Sequence, residues 1–160
     1  MRYSGLITND ITAAPGICVS FFTQGCPHHC PGCHNPETWD FDGGKEFTND
    51  TLKEIIAALT AQNIHRDFCI MGGEPLCEEN AFLTRLVIQE VKKHVPTAKI
   101  YIWSGYTYER LSQSCDPHVR DSLLMADVLI DGPYIEAERD VTLPMRGSRN
   151  QRVIDLSEKI

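Results

Sequence analysis

Cys26, Cys30 and Cys33 fall within the eight-residue run Cys26-Pro27-His28-His29-Cys30-Pro31-Gly32-Cys33. The spacing is Cys-x3-Cys-x2-Cys. Three thiolates on one short loop can hold an iron–sulfur cube by three corners. The fourth iron then has no protein ligand and is open for chemistry. A complete set of four cysteines would instead suit a structural or electron-transfer site. The same loop also admits structural zinc, with Cys26, Cys30, Cys33 and one of His28, His29 or His34 as ligands. Zinc modules usually pair two Cys-x2-Cys knuckles, however, and no second knuckle is present. Incidental thiols are the third reading. Three cysteines in so short a Pro/Gly loop argue against it.

A second cluster of interest is Gly72-Gly73-Glu74-Pro75. Two glycines let the backbone approach a ligand closely, so that its carbonyls can accept from an ammonium group. The same residues read equally well as a tight strand-to-helix turn, with Glu74 favouring the start of the helix. Ser104 and Asp131 each close an apolar run. Either can be a turn residue or a ligand contact.

The surrounding elements must bring these segments together. Residues 16–25 form a β-rich apolar run and read as a buried strand, followed at once by the cysteine loop at about 25–36. Thr48, Asn49 and Asp50 offer an N-cap. Leu52, Ile55, Ile56 and Leu59 then recur at helical spacing, which predicts a helix over about 50–62. Residues 67–71 read as a strand, 79–94 as a helix and 99–103 as a strand. Helical turns are expected from about 107 and before Ala126. Residues 127–131 read as a fourth strand, and a polar tail at about 146–160 ends in a possible edge strand at 151–155. Strands alternating with helices predict an α/β fold with a parallel sheet and right-handed crossovers. Each motif lies just after a strand, where α/β proteins bind ligands. A complete (β/α)8 barrel needs about 250 residues, so the chain is expected to form one domain, 1–160, built as a partial (half) β/α barrel.

Composition bounds the function. The formal charge is −7, without a strongly basic stretch, which argues against nucleic acid as a partner. No apolar run approaches the ~20 residues that span a bilayer, and the start of the chain lacks a signal-peptide core, so a cytoplasmic protein is expected. The cysteine count is odd, at seven, which speaks against a disulfide framework. Cys18 and Cys69, within expected strands, read as buried core thiols.

The cysteine loop after the first of these strands, followed by Gly-Gly-Glu-Pro after the next, resembles the radical S-adenosylmethionine (SAM) superfamily. Cys33-His34-Asn35-Pro36-Glu37-Thr38-Trp39, Trp103-Ser104-Gly105-Tyr106, the run ending Asp131-Gly132, and Arg146-Gly147-Ser148-Arg149-Asn150-Gln151 resemble glycyl-radical-enzyme activases, those of anaerobic ribonucleotide reductase in particular. The resemblance implies a [4Fe–4S] cluster on Cys26, Cys30 and Cys33, with SAM chelated at the open iron. It implies that Gly72, Gly73 and Glu74 hold the methionine amino group. Gly32, Cys33, His34, Ser104 and Asp131 would then lie near SAM, Asp131 with the option of a bound monovalent cation. It further implies reductive SAM cleavage to a 5′-deoxyadenosyl radical. That radical would make a glycyl radical on the large catalytic subunit of a class III reductase, with electrons from a low-potential, flavodoxin-like donor. Activation of another glycyl-radical enzyme, such as pyruvate formate-lyase, is the alternative within this chemistry. A zinc-stabilised binding module is the alternative outside it. One departure stands out. Many superfamily members carry an aromatic residue just before the third cysteine, against the adenine, where this chain has Gly32. The adenine must then rest on backbone or on another side chain.

Overall fold

A computed structural model describes residues 1–159; Ile160, the last residue of the expected tail, lies outside the described residues. In chain order the elements are β1 (Arg2–Asp10), β2 (Cys18–Thr23), β3 (Lys45–Glu46), α1 (Asn49–Thr60), β4 (Asp67–Gly72), α2 (Glu78–His94), β5 (Ile100–Ser104), α3 (Tyr108–Ser112), α4 (Pro117–Met125), β6 (Val128–Asp131) and β7 (Arg152–Asp155). Among the described residues the strands form one sheet of seven, in the order β3-β1-β2-β4-β5-β6-β7. No helix among them is long and apolar enough to cross a membrane.

The sheet is mixed, not wholly parallel. β2, β4, β5 and β6 run parallel. β1 and β3 on one side and β7 on the other add antiparallel edges. The four parallel strands are those the sequence predicts from apolar runs, because a strand buried on both faces reads as continuously apolar. β1 was not expected. Its run Arg-Tyr-Ser-Gly-Leu-Ile-Thr-Asn-Asp mixes polar and apolar residues, and only Tyr3 and Asp10 in it are buried. It is held by pairing with β2 rather than by a pattern of its own.

Side chains alternate across the parallel strands. Val19, Phe21, Phe68, Ile70, Ile100, Ile102 and Leu129 point to one face, where they pack on Ile55, Leu59, Leu83, Val87 and Val91 of α1 and α2. Cys18, Cys69, Tyr101 and Ile130 point to the other face. There they meet Ala14 of the β1–β2 loop and, at the periphery, Met71, Trp103 and Met145. Helices thus cover one face and loops the other. Cys18 and Cys69 are fully buried core thiols, as expected.

The helix starts follow local chemistry. Thr48 caps α1 in a reciprocal box, its hydroxyl accepting from Thr51 N while the Thr51 hydroxyl accepts from Thr48 N. Asp116 caps α4, its carboxylate accepting from His118 N at 2.8 Å. α2 begins after Cys77, which makes no side-chain cap. Glu78 and Glu79 in its first turn, and Lys92, Lys93 and His94 in its last, match the helix dipole.

Phe68 is wholly buried between the helices and the stacked Phe21 ring. Phe68→Ala is expected to lower the unfolding free energy by about 3–5 kcal/mol. Urea denaturation of the metal-free protein under reducing conditions measures this. A loss below about 1 kcal/mol would contradict the packing described.

Candidate functional site

The C-terminal ends of β2, β4 and β5, with loops from both sides, border a cavity of about 580 Å³. The loop between β2 and β3 supplies Cys26, Cys30 and Cys33 to its wall. All three are free thiols. Cys26 is buried, which pushes its thiol up to about 11, so in the absence of iron it stays protonated. Gly72, Gly73 and Glu74 form the next part of the wall, and Ser104 and His34 line it as well.

Backbone bonds fix the cysteine loop to the rest. Gly25 N donates to Thr38 O at 2.7 Å and Cys26 N to Trp39 O at 3.1 Å. Gln24 Nε2 donates to the carbonyls of Glu37 and Asp40. The loop also meets the Gly-Gly-Glu-Pro turn directly. Glu74 N donates to Gly25 O at 2.9 Å, and Asn80 Nδ2 donates to the same carbonyl at 3.1 Å. A side chain on Gly73 would run into the Gly25 carbonyl. The glycine is therefore required by the approach of the two loops, whatever else it contacts.

Glu74 is the most heavily engaged group of the site. Its side chain is 1% exposed. Oε1 accepts from Ser104 Oγ at 2.8 Å and from Leu76 N at 3.0 Å. Oε2 accepts from Gly105 N at 2.7 Å and pairs with His28 Nε2 at 2.7 Å. One carboxylate thus joins the end of β4, the end of β5 and the cysteine loop. His28, one of the three histidines of the loop, is mostly buried, with its ring edge-on to Tyr106 at 4.5 Å. The sequence holds no signal for this pair, since the partners are 46 residues apart.

No three His, Cys, Asp or Glu side chains among the described residues stand close enough to share one ion. Mononuclear zinc needs its ligands to meet at a single atom. A four-iron cube gives each cysteine its own iron, so its thiols stand apart around a shared space. The three thiols on one cavity wall fit the second arrangement.

Gly32 and Asp131 are placed differently from the other expected residues. Neither is among the residues lining the cavity. Gly32 is exposed and has φ +77, with Tyr134 and Glu136 packed where a side chain would stand. Asp131 is 1% exposed. Its carboxylate is taken up by Arg152, through Nε at 3.0 Å and Nη2, and by Tyr108 N at 2.7 Å. Arg152 also grips Glu109, whose carboxyl it holds down at about 2. The chemistry of Asp131 is therefore that of an edge clamp between β6 and β7.

The structure adds wall residues that sequence reasoning did not single out. Trp103 and Met145 line the cavity, joined by a bond from Trp103 Nε1 to Met145 O at 2.7 Å. Tyr134 and Arg146 line it too. Trp39 Nε1 and Arg146 Nε are buried donors without a partner among the described residues. The wall thus keeps donor capacity that the protein itself does not use.

Residues 13–154 match the family model described as a 4Fe-4S single cluster domain. Curated relatives cover nearly the whole chain. The anaerobic ribonucleoside-triphosphate reductase-activating protein of Salmonella typhimurium is 35% identical over 154 residues, 96% of this chain and 97% of that protein. The protein of the same name from Escherichia coli strain K12 is 33% identical over the same shares. That from Enterobacteria phage T4 is 34% identical over 96% of this chain and 93% of its own.

Glu74→Gln replaces one acceptor oxygen by a donor and leaves a neighbouring N–H or hydroxyl without its partner. Unfolding free energy is expected to fall by about 1–3 kcal/mol, and by less for Ser104→Ala. Denaturation of the cluster-free proteins reads both. A Gln variant as stable as the parent would contradict the role assigned to this carboxylate.

Proposed function

The chain belongs to the anaerobic ribonucleoside-triphosphate reductase-activating proteins, radical SAM enzymes with a 4Fe–4S domain, and we propose that it makes a glycyl radical on the large catalytic subunit of an anaerobic ribonucleotide reductase. The observation that carries the proposal is the meeting on one cavity of Cys26, Cys30 and Cys33 with the Gly72–Gly73–Glu74 turn.

In this reading Cys26, Cys30 and Cys33 hold a [4Fe–4S] cluster by three irons, and SAM binds at the fourth. Bound there, the pair would supply one-electron reductive cleavage of SAM and, through it, hydrogen-atom abstraction from the target glycine. The protein's own work is placement and exclusion of water. The backbone of Gly72 and Gly73 faces the methionine amino group. The Glu74 side chain is already saturated by its four partners. It acts on SAM by holding that backbone and the cysteine loop in register. Ser104 is likewise a positioning residue, its hydroxyl bound to Glu74. Cys33 and His34 line the same wall, next to SAM. A low-potential, flavodoxin-like protein fits the role of electron donor.

The fold supports the task. The four parallel strands β2, β4, β5 and β6, flanked by antiparallel edge strands in place of further β/α units, support reading the sheet as a half barrel of the radical SAM type. An incomplete barrel leaves a side open, through which a glycine-bearing segment of another protein can reach the cavity.

Anaerobic reconstitution with iron and sulfide, followed by reduction in the presence of SAM, is expected to release 5′-deoxyadenosine. Cys26→Ala is expected to lose both the cluster absorbance and that product. A fully loaded parent protein that releases none would overturn the reading. Electron paramagnetic resonance of mixtures with each candidate partner checks the target. The expected doublet appears on the anaerobic reductase. A doublet confined to a different glycyl-radical enzyme would move the assignment there.

A further inference from the structure

We infer that Tyr134 is the adenine platform of this protein, a cross-chain substitute for the aromatic residue missing at Gly32. The inference rests on the SAM reading given above.

Tyr134 follows β6 by three residues and lines the cavity. Its position is set from several sides. A side chain on Gly32 would come within 3.3 Å of Cε1 of the ring, and one on Gly147 within 3.1 Å of Cδ2 and 3.2 Å of Cε2. The two glycines therefore approach opposite sides of the ring, Gly32 at Cε1 and Gly147 at Cδ2 and Cε2. The hydroxyl donates to Glu136 Oε2 at 2.7 Å. That same carboxylate oxygen occupies the place where a side chain on Gly32 would begin. Gly32, Tyr134 and Glu136 thus interlock. The glycine that removes an aromatic side chain from the cysteine loop is the glycine that admits this ring beside it.

Chemistry points the same way. His34, the next residue after Cys33, packs its ring edge-on to Tyr134 at 6.0 Å. The wall beside the third cysteine therefore carries two rings at a steep angle to each other. A phenol fixed at its hydroxyl and flanked by two glycines, with a π face offered to the ligand in this inference, has little conformational entropy left to lose on binding. Flat heterocyclic bases stack on such faces. SAM carries one such base, and its other end is expected at the Gly72–Gly73 turn across the cavity.

Ligand truncation tests the inference. The probes are SAM and L-methionine, each titrated anaerobically into the reconstituted holoprotein, with iron and sulfide counted for every variant. Tyr134→Ala is expected to weaken SAM about tenfold or more, in the range for loss of one base–aromatic stack. Tyr134→Phe is expected to stay within about twofold of the parent, since the hydroxyl only orients the ring. Tyr134→Leu keeps bulk against Gly32 and Gly147 without a π face and is expected to behave like Ala. It also guards against a collapse of the wall. L-methionine binding is expected to be the same in all four proteins. If Ala and Leu variants with full clusters bind SAM as tightly as the parent, the inference falls and the SAM reading stands. If they lose SAM and L-methionine equally, Tyr134 is only structural and the inference also falls. If the parent holoprotein binds no SAM, both fall together.

Discussion

The buried carboxylate of Glu74 is the joint on which the site depends. A charge with 1% exposure is tolerable only when its oxygens are fully satisfied. Here the partners come from three separate places: Leu76 from its own turn, Ser104 and Gly105 from the end of β5, and His28 from the cysteine loop. The pairing that solves the local electrostatic problem also sets the spacing between the cysteine loop and the Gly-Gly-Glu-Pro turn. Glycine at 73 permits that spacing, and the bond from Glu74 N to Gly25 O locks it. A site that must hold two ligands against each other gains from having both walls hung on one group.

The sheet makes the joint possible. In the parallel run β2-β4-β5-β6 all C-terminal ends fall on one rim. The helices take one face, so the other is free for loops to build a cavity. The antiparallel edges end the sheet without further helices. At the β6–β7 edge the device is a second buried carboxylate, Asp131, held by Arg152. Glu74 and Asp131 both sit at strand ends, but they serve different ends. The first organises the cavity, and the second fastens the last strand.

Much of this was legible in the sequence, and the reason is physical. Cysteine spacing and paired glycines are local signals, readable without a fold. The four parallel strands were legible because burial on both faces demands continuous apolar runs. Strand β1 was not, because its pairing with β2 holds a mixed sequence of which only Tyr3 and Asp10 are buried. The edge strands made the sheet mixed where a parallel one was expected. Of the expected residues on the cavity wall, the three cysteines and the Gly72–Glu74 turn were signalled by short local motifs, whereas Ser104 and His34 were reached only through the resemblance. His28, Tyr134 and the true partners of Asp131 were hidden, because each depends on contacts between segments far apart in the chain. Gly32 shows the limit most clearly. The sequence shows that no ring precedes the third cysteine, and only the fold shows Tyr134 and Glu136 packed beside that glycine.

The central claim is that the cluster held by the three cysteines has an open iron and that SAM occupies it. Electron paramagnetic resonance of the reduced holoprotein, recorded before and after SAM is added, tests this most directly. A ligand on the open iron changes the electronic surroundings of the cluster, so the g-values are expected to shift in samples frozen before SAM is cleaved, with the signal fading as cleavage oxidises the cluster. A spectrum unchanged at saturating SAM would contradict the account.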